Sequence, residues 1–169
     1  MNQLNPTLEF HWGSSLGISV ILFLFSGVLH LLIGVVTPFA VDSEFSRKIL
    51  MISNRPDTAF FGTAPSQLIQ KIPELAKLRA VLSPVVGGWL ITIGIFTLAV
   101  TWFGLRNFQL WSLITLGICG AVLTLFWIIT MRVYFRAGIE IQFSDLPPIF
   151  WIPAVSLIPA LILGWIGLK

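Results

Sequence analysis

Residues 15–39 read SLGISVILFLFSGVLHLLIGVVTPF. Twenty-five positions pass without an acid, a lysine or an arginine, and the one titratable side chain among them is His30. About 20 apolar residues in a helix cross the hydrocarbon core of a bilayer. A helix also satisfies its own backbone hydrogen bonds, which lipid cannot do. The stretch therefore reads as a membrane span. Three more follow, over residues 81–103, 111–134 and 149–168. The expected fold is all-α: an integral membrane four-helix bundle forming a single domain over residues 1–169. A long interfacial loop, residues 40–80, separates the first two spans.

Composition points the same way. Of 169 residues, 56% are hydrophobic and only 10% charged, where a soluble domain carries about 25% charged residues. Mean hydropathy is +0.94. Such a chain lacks the polar surface needed to face water on all sides. The net charge of +3 does not indicate a nucleic-acid partner, because the basic residues are few and form no basic helix face. Residues 1–15 carry no lysine or arginine and the first apolar run exceeds a usual signal-peptide core, so it is expected to be a retained span. Trp12, Trp89, Trp102, Trp111 and Trp151 fall near the ends of spans, where indoles favour the interface, while Trp127 and Trp165 lie deeper.

Charge sets the expected orientation. Arg47, Lys48, Arg55, Lys71, Lys77, Arg79, Arg132 and Arg136 belong to one face, and only Arg106 and Lys169 to the other. By the positive-inside rule, residues 40–80 and 135–148 are expected in the cytoplasm, with both termini outside the cell (inner) membrane. The link between spans two and three, GLRNFQLW, is short enough to impose an antiparallel hairpin.

The long loop carries its own pattern. In SQLIQKIPELAKLRAVL, Leu68, Ile72, Leu75, Leu78 and Leu82 recur three or four apart, which predicts an amphipathic helix capped by Ser66. Pro73 either kinks it or opens a new helix, and a turn at Pro84 is expected to lead into the second span. Upstream, DSEFSRKILMIS suggests a short surface helix capped by Asp42 or Ser43. Between the two lies NRPDTAFFGTAPS. Its Phe60 and Phe61 are expected to anchor the loop in the headgroup boundary, or to form a lid over a lipid-accessible pocket.

Several residues are candidates for function. Ser19, Ser26, His30 and Thr37 share one narrow stripe of the first span at 100° per residue, which lipid would not solvate. An intramembrane ionisable group is a functional candidate, yet a neutral imidazole hydrogen-bonded to a neighbouring helix serves packing equally well. In the loops, Arg55, Asp57, Phe60, Phe61, Arg136 and Glu140 form a candidate lid or headgroup site, with Asp145 close in sequence. Arginine suits a lipid phosphate; solvated charges in surface ion pairs are the plainer reading.

No metal or other cofactor is expected. His11 and His30 are nineteen residues apart on one helix, about 28 Å, and cannot share an ion. Cys119 is the one cysteine, so no intrachain disulfide forms; it reads as a small apolar residue packed between helices. No HExxH, Walker, GxSxG or dinucleotide motif occurs. Small residues recur on the later spans: Gly87, Gly94 and Thr101; Gly117 and Ala121; Ser156, Ala160 and Gly164. Such faces let helices approach closely.

The hairpin TLAVTWFGLRNFQLWSLI, with Arg106 and Trp111, resembles the arginine-containing turn of small bacterial four-helix membrane proteins of the DoxX-like kind. The resemblance implies architecture more than activity. The leading functional expectation is a non-enzymatic structural or accessory bundle, a homo-oligomer or part of a larger membrane complex in contact with membrane lipid. The alternatives are a lipid-binding or lipid-modifying enzyme using His30 with loop residues, and an oligomeric small transporter.

Overall fold

The computed structural model describes residues 9–169, and all the regular structure among them is helical. In chain order the elements are α1 (Ser15–Ala40), α2 (Glu44–Arg47), α3 (Asn54–Phe61), α4 (Pro65–Lys71) and α5 (Pro73–Ala99). A π-helical turn (Val100–Gly104) and a 3-10 turn (Leu105–Asn107) follow, then α6 (Leu110–Arg136), a second 3-10 turn (Phe143–Asp145) and α7 (Pro148–Gly167). Among the described residues four stretches are long and apolar enough to cross a membrane: Ser15–Ala40, Pro73–Asn107, Leu110–Arg136 and Phe150–Gly167. The chain is a small multi-span membrane protein, with a helical segment between the first two spans.

The second span begins earlier than the sequence suggests. Ile72 is extended, at φ −124° and ψ 89°, because the ring of a following proline disfavours helix. Pro73 then opens α5 at its first position, where no backbone donor is needed. The helix continues through Pro84 without the expected turn, so the part of the amphipathic segment from Pro73 onward and the second span are one rod, while its first part is the separate α4. Ser66 is not the cap: α4 starts at Pro65, after Ala64. Ser43 does cap α2, its Oγ accepting from the Ser46 N–H at 3.2 Å. The polar stretch around Phe60 is itself a helix, α3, closed by Gly62 at φ 68°, a left-handed conformation that suits glycine.

Glycine brings α1 and α5 together. A Cβ built on Gly34 would lie 2.8 Å from the Gly87 carbonyl oxygen, and one on Gly87 2.7 Å from the Gly34 oxygen. Two turns along, a Cβ on Gly94 would lie 2.8 Å from the Gly27 oxygen. Gly27 and Gly34 thus face Gly94 and Gly87 in antiparallel register. Pro38 inside α1 has no N–H to give the Gly34 carbonyl four residues back, and that oxygen lies against Gly87. Ser83 Oγ adds a hydrogen bond to the Thr37 carbonyl at 2.9 Å.

The other contacts depend on smaller features. Ser19 Oγ donates to the Ala160 carbonyl at 2.7 Å, tying α1 to α7. Leu157 and Leu161 of α7 sit over Gly120 and Gly117 of α6; Ala121, the expected partner of Gly117, is exposed. Gly104 and Ser112 close the hairpin turn against each other. Around that turn, Arg106 lies over the Trp102 ring at 4.3 Å and the Phe10 ring at 5.5 Å, within the range of cation–π attraction. The buried core of Leu16, Val20, Phe23, Val100, Leu105, Leu113, Leu116 and Ala160 gathers at this turn end of the bundle.

The seam makes a sharp expectation. Gly34→Ala and Gly94→Ala should each destabilise the detergent-solubilised protein by about 1–3 kcal/mol, the usual cost of overpacking. Gly88→Ala, with nothing within 4 Å of its Cβ position, should be neutral or slightly stabilising. Thermal unfolding of the three variants checks this; equal melting temperatures would remove the seam.

Candidate functional site

Helix α1 packs along α5 on one side and α7 on the other, and α6 packs on α7. Beyond the turn that joins them, α5 and α6 have no extended contact. The four spans therefore enclose a space closed on three sides. It is a cavity of about 660 Å³ that starts where the core stops, at Phe23, Leu116 and Ala160. Ile52 and Leu146 line its loop end. On the open side its wall includes exposed Phe96 of α5 and exposed Ile118 and Val122 of α6. Cys119 also stands here, exposed at the mouth and not packed between helices as expected.

The wall is apolar and aromatic, with Trp127 and Phe150 stacked at 3.5 Å between ring centres. His30 is the notable exception. It is 7% exposed, and its Nδ1 lies 2.7 Å from the Ser26 carbonyl oxygen, one turn back on the same helix. A carbonyl only accepts, so Nδ1 carries the hydrogen. In the neutral ring Nε2 then presents a lone pair. Among the described residues no protein group bonds Nε2, and the ring lines the cavity.

The polar stripe divides between roles. Ser26 and His30 line the cavity. Ser19 is committed to the Ala160 carbonyl, and Thr37 Oγ1 donates to Ile33 within its own helix at 2.7 Å. On the other walls Thr97 makes no side-chain hydrogen bond among the described residues, whereas three hydroxyls are turned to their own backbones: Thr92 to Gly88, Thr124 to Gly120 and Ser156 to Pro153. Each of these three uses its hydrogen there and keeps its lone pairs.

The loop candidates form a roof across the same end of the bundle. Asp57 is fully buried. Its carboxylate accepts from the backbone N–H groups of Leu50 at 2.7 Å, Met51 at 2.9 Å and Ile52 at 3.3 Å, and from the Tyr134 hydroxyl at 2.8 Å. It thereby holds the chain that places Ile52 in the cavity and fastens α3 to the end of α6. Phe60 packs on the Tyr134 ring at 4.7 Å, and Phe61 stands edge-on to Phe60, half exposed. Neither phenylalanine lines the cavity; Ile52 does.

Arg55 turns the other way. Its guanidinium grips both Asp145 oxygens, with Nε at 3.0 Å from one of them, and donates to the Glu140 carbonyl at 2.9 Å. The Glu140 side chain is exposed, as is Arg136 on the last turn of α6. The six loop candidates thus do not converge on one headgroup site. Tyr134 escaped the sequence reading because it sits at the end of a span, between Arg132 and Arg136, where a tyrosine reads as an interface residue. The signal for Asp57 was local: an acid in the first turn of a helix can reach back to the preceding N–H groups.

The Arg55 hydrogen bond holds Asp145 below the usual carboxylate range, and the Gln142 N–H adds to this against an opposing effect of burial. A carboxylate whose folded value is depressed stabilises the fold above its unfolded value and loses that contribution as pH falls through the folded value. Hydrogen-exchange protection of residues 50–61 should therefore be level from pH 7 to 5 and fall below about pH 4. Arg55→Ala should lower protection at neutral pH and flatten the acid response. A wild-type loss between pH 7 and 5 would contradict the assignment.

No protein family, curated protein or solved structure matches the chain.

Proposed function

We propose that this small multi-span membrane protein holds a lipid-soluble molecule in the cavity beside His30, without transforming it. The observation that carries this reading is the cavity itself: laterally open, apolar, and supplied with a single histidine whose Nε2 is unengaged. Its volume falls within the range of about 300–1,000 Å³ typical of small-molecule sites. The open side faces the acyl chains of the bilayer, which gives a hydrophobic molecule a path that avoids water.

Binding is better supported than catalysis. General acid–base chemistry uses a positioned group with a partner that shares or orients its proton. His30 is oriented by the Ser26 carbonyl, but no carboxylate, lysine or arginine among the described residues lines the cavity to share a proton with it, and the carboxylates of Asp57 and Asp145 are engaged in the roof. This favours the non-enzymatic class expected from the sequence and narrows it to a lipid-holding bundle, alone or as an accessory subunit. The hairpin's likeness to DoxX-like proteins supports the architecture and adds no activity.

Native mass spectrometry after gentle extraction should find a retained apolar molecule. Leu123→Trp, which fills the cavity from the α6 wall, should release it while the protein stays folded. A bundle that carries nothing, or a Leu123→Trp variant that retains the molecule unchanged, would sink the proposal. Efficient disulfide cross-linking through Cys119 in membranes would assign the groove to a second copy of the chain instead.

We further infer that the roof lies in the cytoplasm. Residues 47, 48, 55, 71, 77, 79, 132 and 136, all basic, belong to the roof end of the bundle, opposite Arg106 and Lys169, as the positive-inside rule favours. With Cys119→Ser as background, a Thr63→Cys variant should react with an impermeant maleimide only after cells are opened. Labelling of intact cells would reverse the orientation.

A further inference from the structure

The chemistry of the cavity wall narrows the class of molecule that it suits, given the binding role proposed for it. His30 offers the Nε2 lone pair, since its one hydrogen is donated to the Ser26 carbonyl. Thr92, Thr124 and Ser156 have donated theirs to backbone carbonyls and can only accept further bonds. Ser26 also lines the cavity, one helical turn from His30, and its hydroxyl, like that of Thr97 on the α5 wall, makes no hydrogen bond among the described residues. A serine hydroxyl can both donate and accept.

We propose that the cavity selects a lipid-soluble alcohol: a hydrocarbon body bearing one hydroxyl that donates to His30 Nε2 and accepts from Ser26 Oγ. A hydroxyl matches this pair because it carries one donor and lone pairs together. A ketone or ether can use the Ser26 hydroxyl but leaves the His30 lone pair without a hydrogen. A carboxylate or phosphate is disfavoured further, because a charge in an apolar site needs a partner charge, and the charged roof residue Arg55 is already committed to Asp145. The aromatic walls of Trp127 and Phe150 suit the hydrocarbon body.

The test compares an alcohol with its own methyl ether, which removes the donor and leaves the body unchanged. Geranylgeraniol and its methyl ether serve as a chain-like pair, cholesterol and its methyl ether as a ring-like pair. Each is presented to the full-length protein in lipid nanodiscs and its occupancy titrated by native mass spectrometry. In at least one pair the alcohol should bind roughly threefold to tenfold more tightly, as the net value of one hydrogen bond implies. His30→Ala should erase that preference while leaving ether binding near its original level. Equal binding of alcohol and ether in both pairs would overturn the donor inference and leave the cavity's binding role standing. Binding of neither member of either pair, together with no co-purified molecule, would overturn both. A preference that persists in His30→Ala would reject His30 as the acceptor, and Ser26→Ala would then be measured in the same way.

Discussion

The close approach of α1 and α5 at two glycine pairs shapes most of the bundle. Lipid provides no hydrophobic drive for one apolar helix to leave it for another, so association depends on close packing and on polar contacts between helices. Where Gly34 meets Gly87 and Gly27 meets Gly94, there is no room for even a methyl group. That seam commits one flank of α1. The flank carrying Ser19 binds α7. Helix α6 is left to pack on α7 and on the turn, and the space between it and α5 stays open. The cavity is thus a by-product of where the small residues are.

The roof obeys a different rule. Its chain between α2 and α3 has no regular structure of its own, so its N–H groups need acceptors. Asp57 provides them for three consecutive residues and is in turn bonded by Tyr134. A buried carboxylate is tolerated when hydrogen bonds satisfy it. The outer clamp, Arg55 on Asp145, is half exposed and therefore weaker. One carboxylate organises the segment from within, and the other joins it to the third loop.

Much of the architecture was legible as runs of apolar residues. Four spans and a helical interlude can be read from length, hydropathy and spacing alone. Boundaries were less legible where two prolines competed. Pro73 and Pro84 are each compatible with a helix start or with an interior position, and only the extended Ile72 decides between them. The glycines at 87 and 94 announced a packing face, but not that Gly27 and Gly34 of α1 would meet it. The division of the polar stripe was also hidden. Periodicity puts Ser19, Ser26, His30 and Thr37 on one face, yet neighbouring helices differ along its length, so Ser19 meets a carbonyl and His30 meets a cavity. The cavity depends on two helices failing to pack, and no local pattern encodes that.

The order of the spans along the chain has a consequence for how the protein is made. Synthesis delivers α1 first, and its glycine partners arrive with α5, so the seam can close while the rest of the chain is still emerging. Helix α6 comes next and finds the turn at one end and Asp57 and Phe60 of α3 at the other, with nothing along its length, since its lengthwise neighbour α7 is the last helix to appear. Until then α6 is a tethered but unpacked hydrophobic rod, and the third wall of the cavity does not exist. Arrival of α7 supplies the carbonyl for Ser19 and the leucines for Gly117 and Gly120 in one step. The pocket is therefore the last part of the molecule to be assembled, and a chain cut short before residue 148 would insert its first three spans without ever acquiring it.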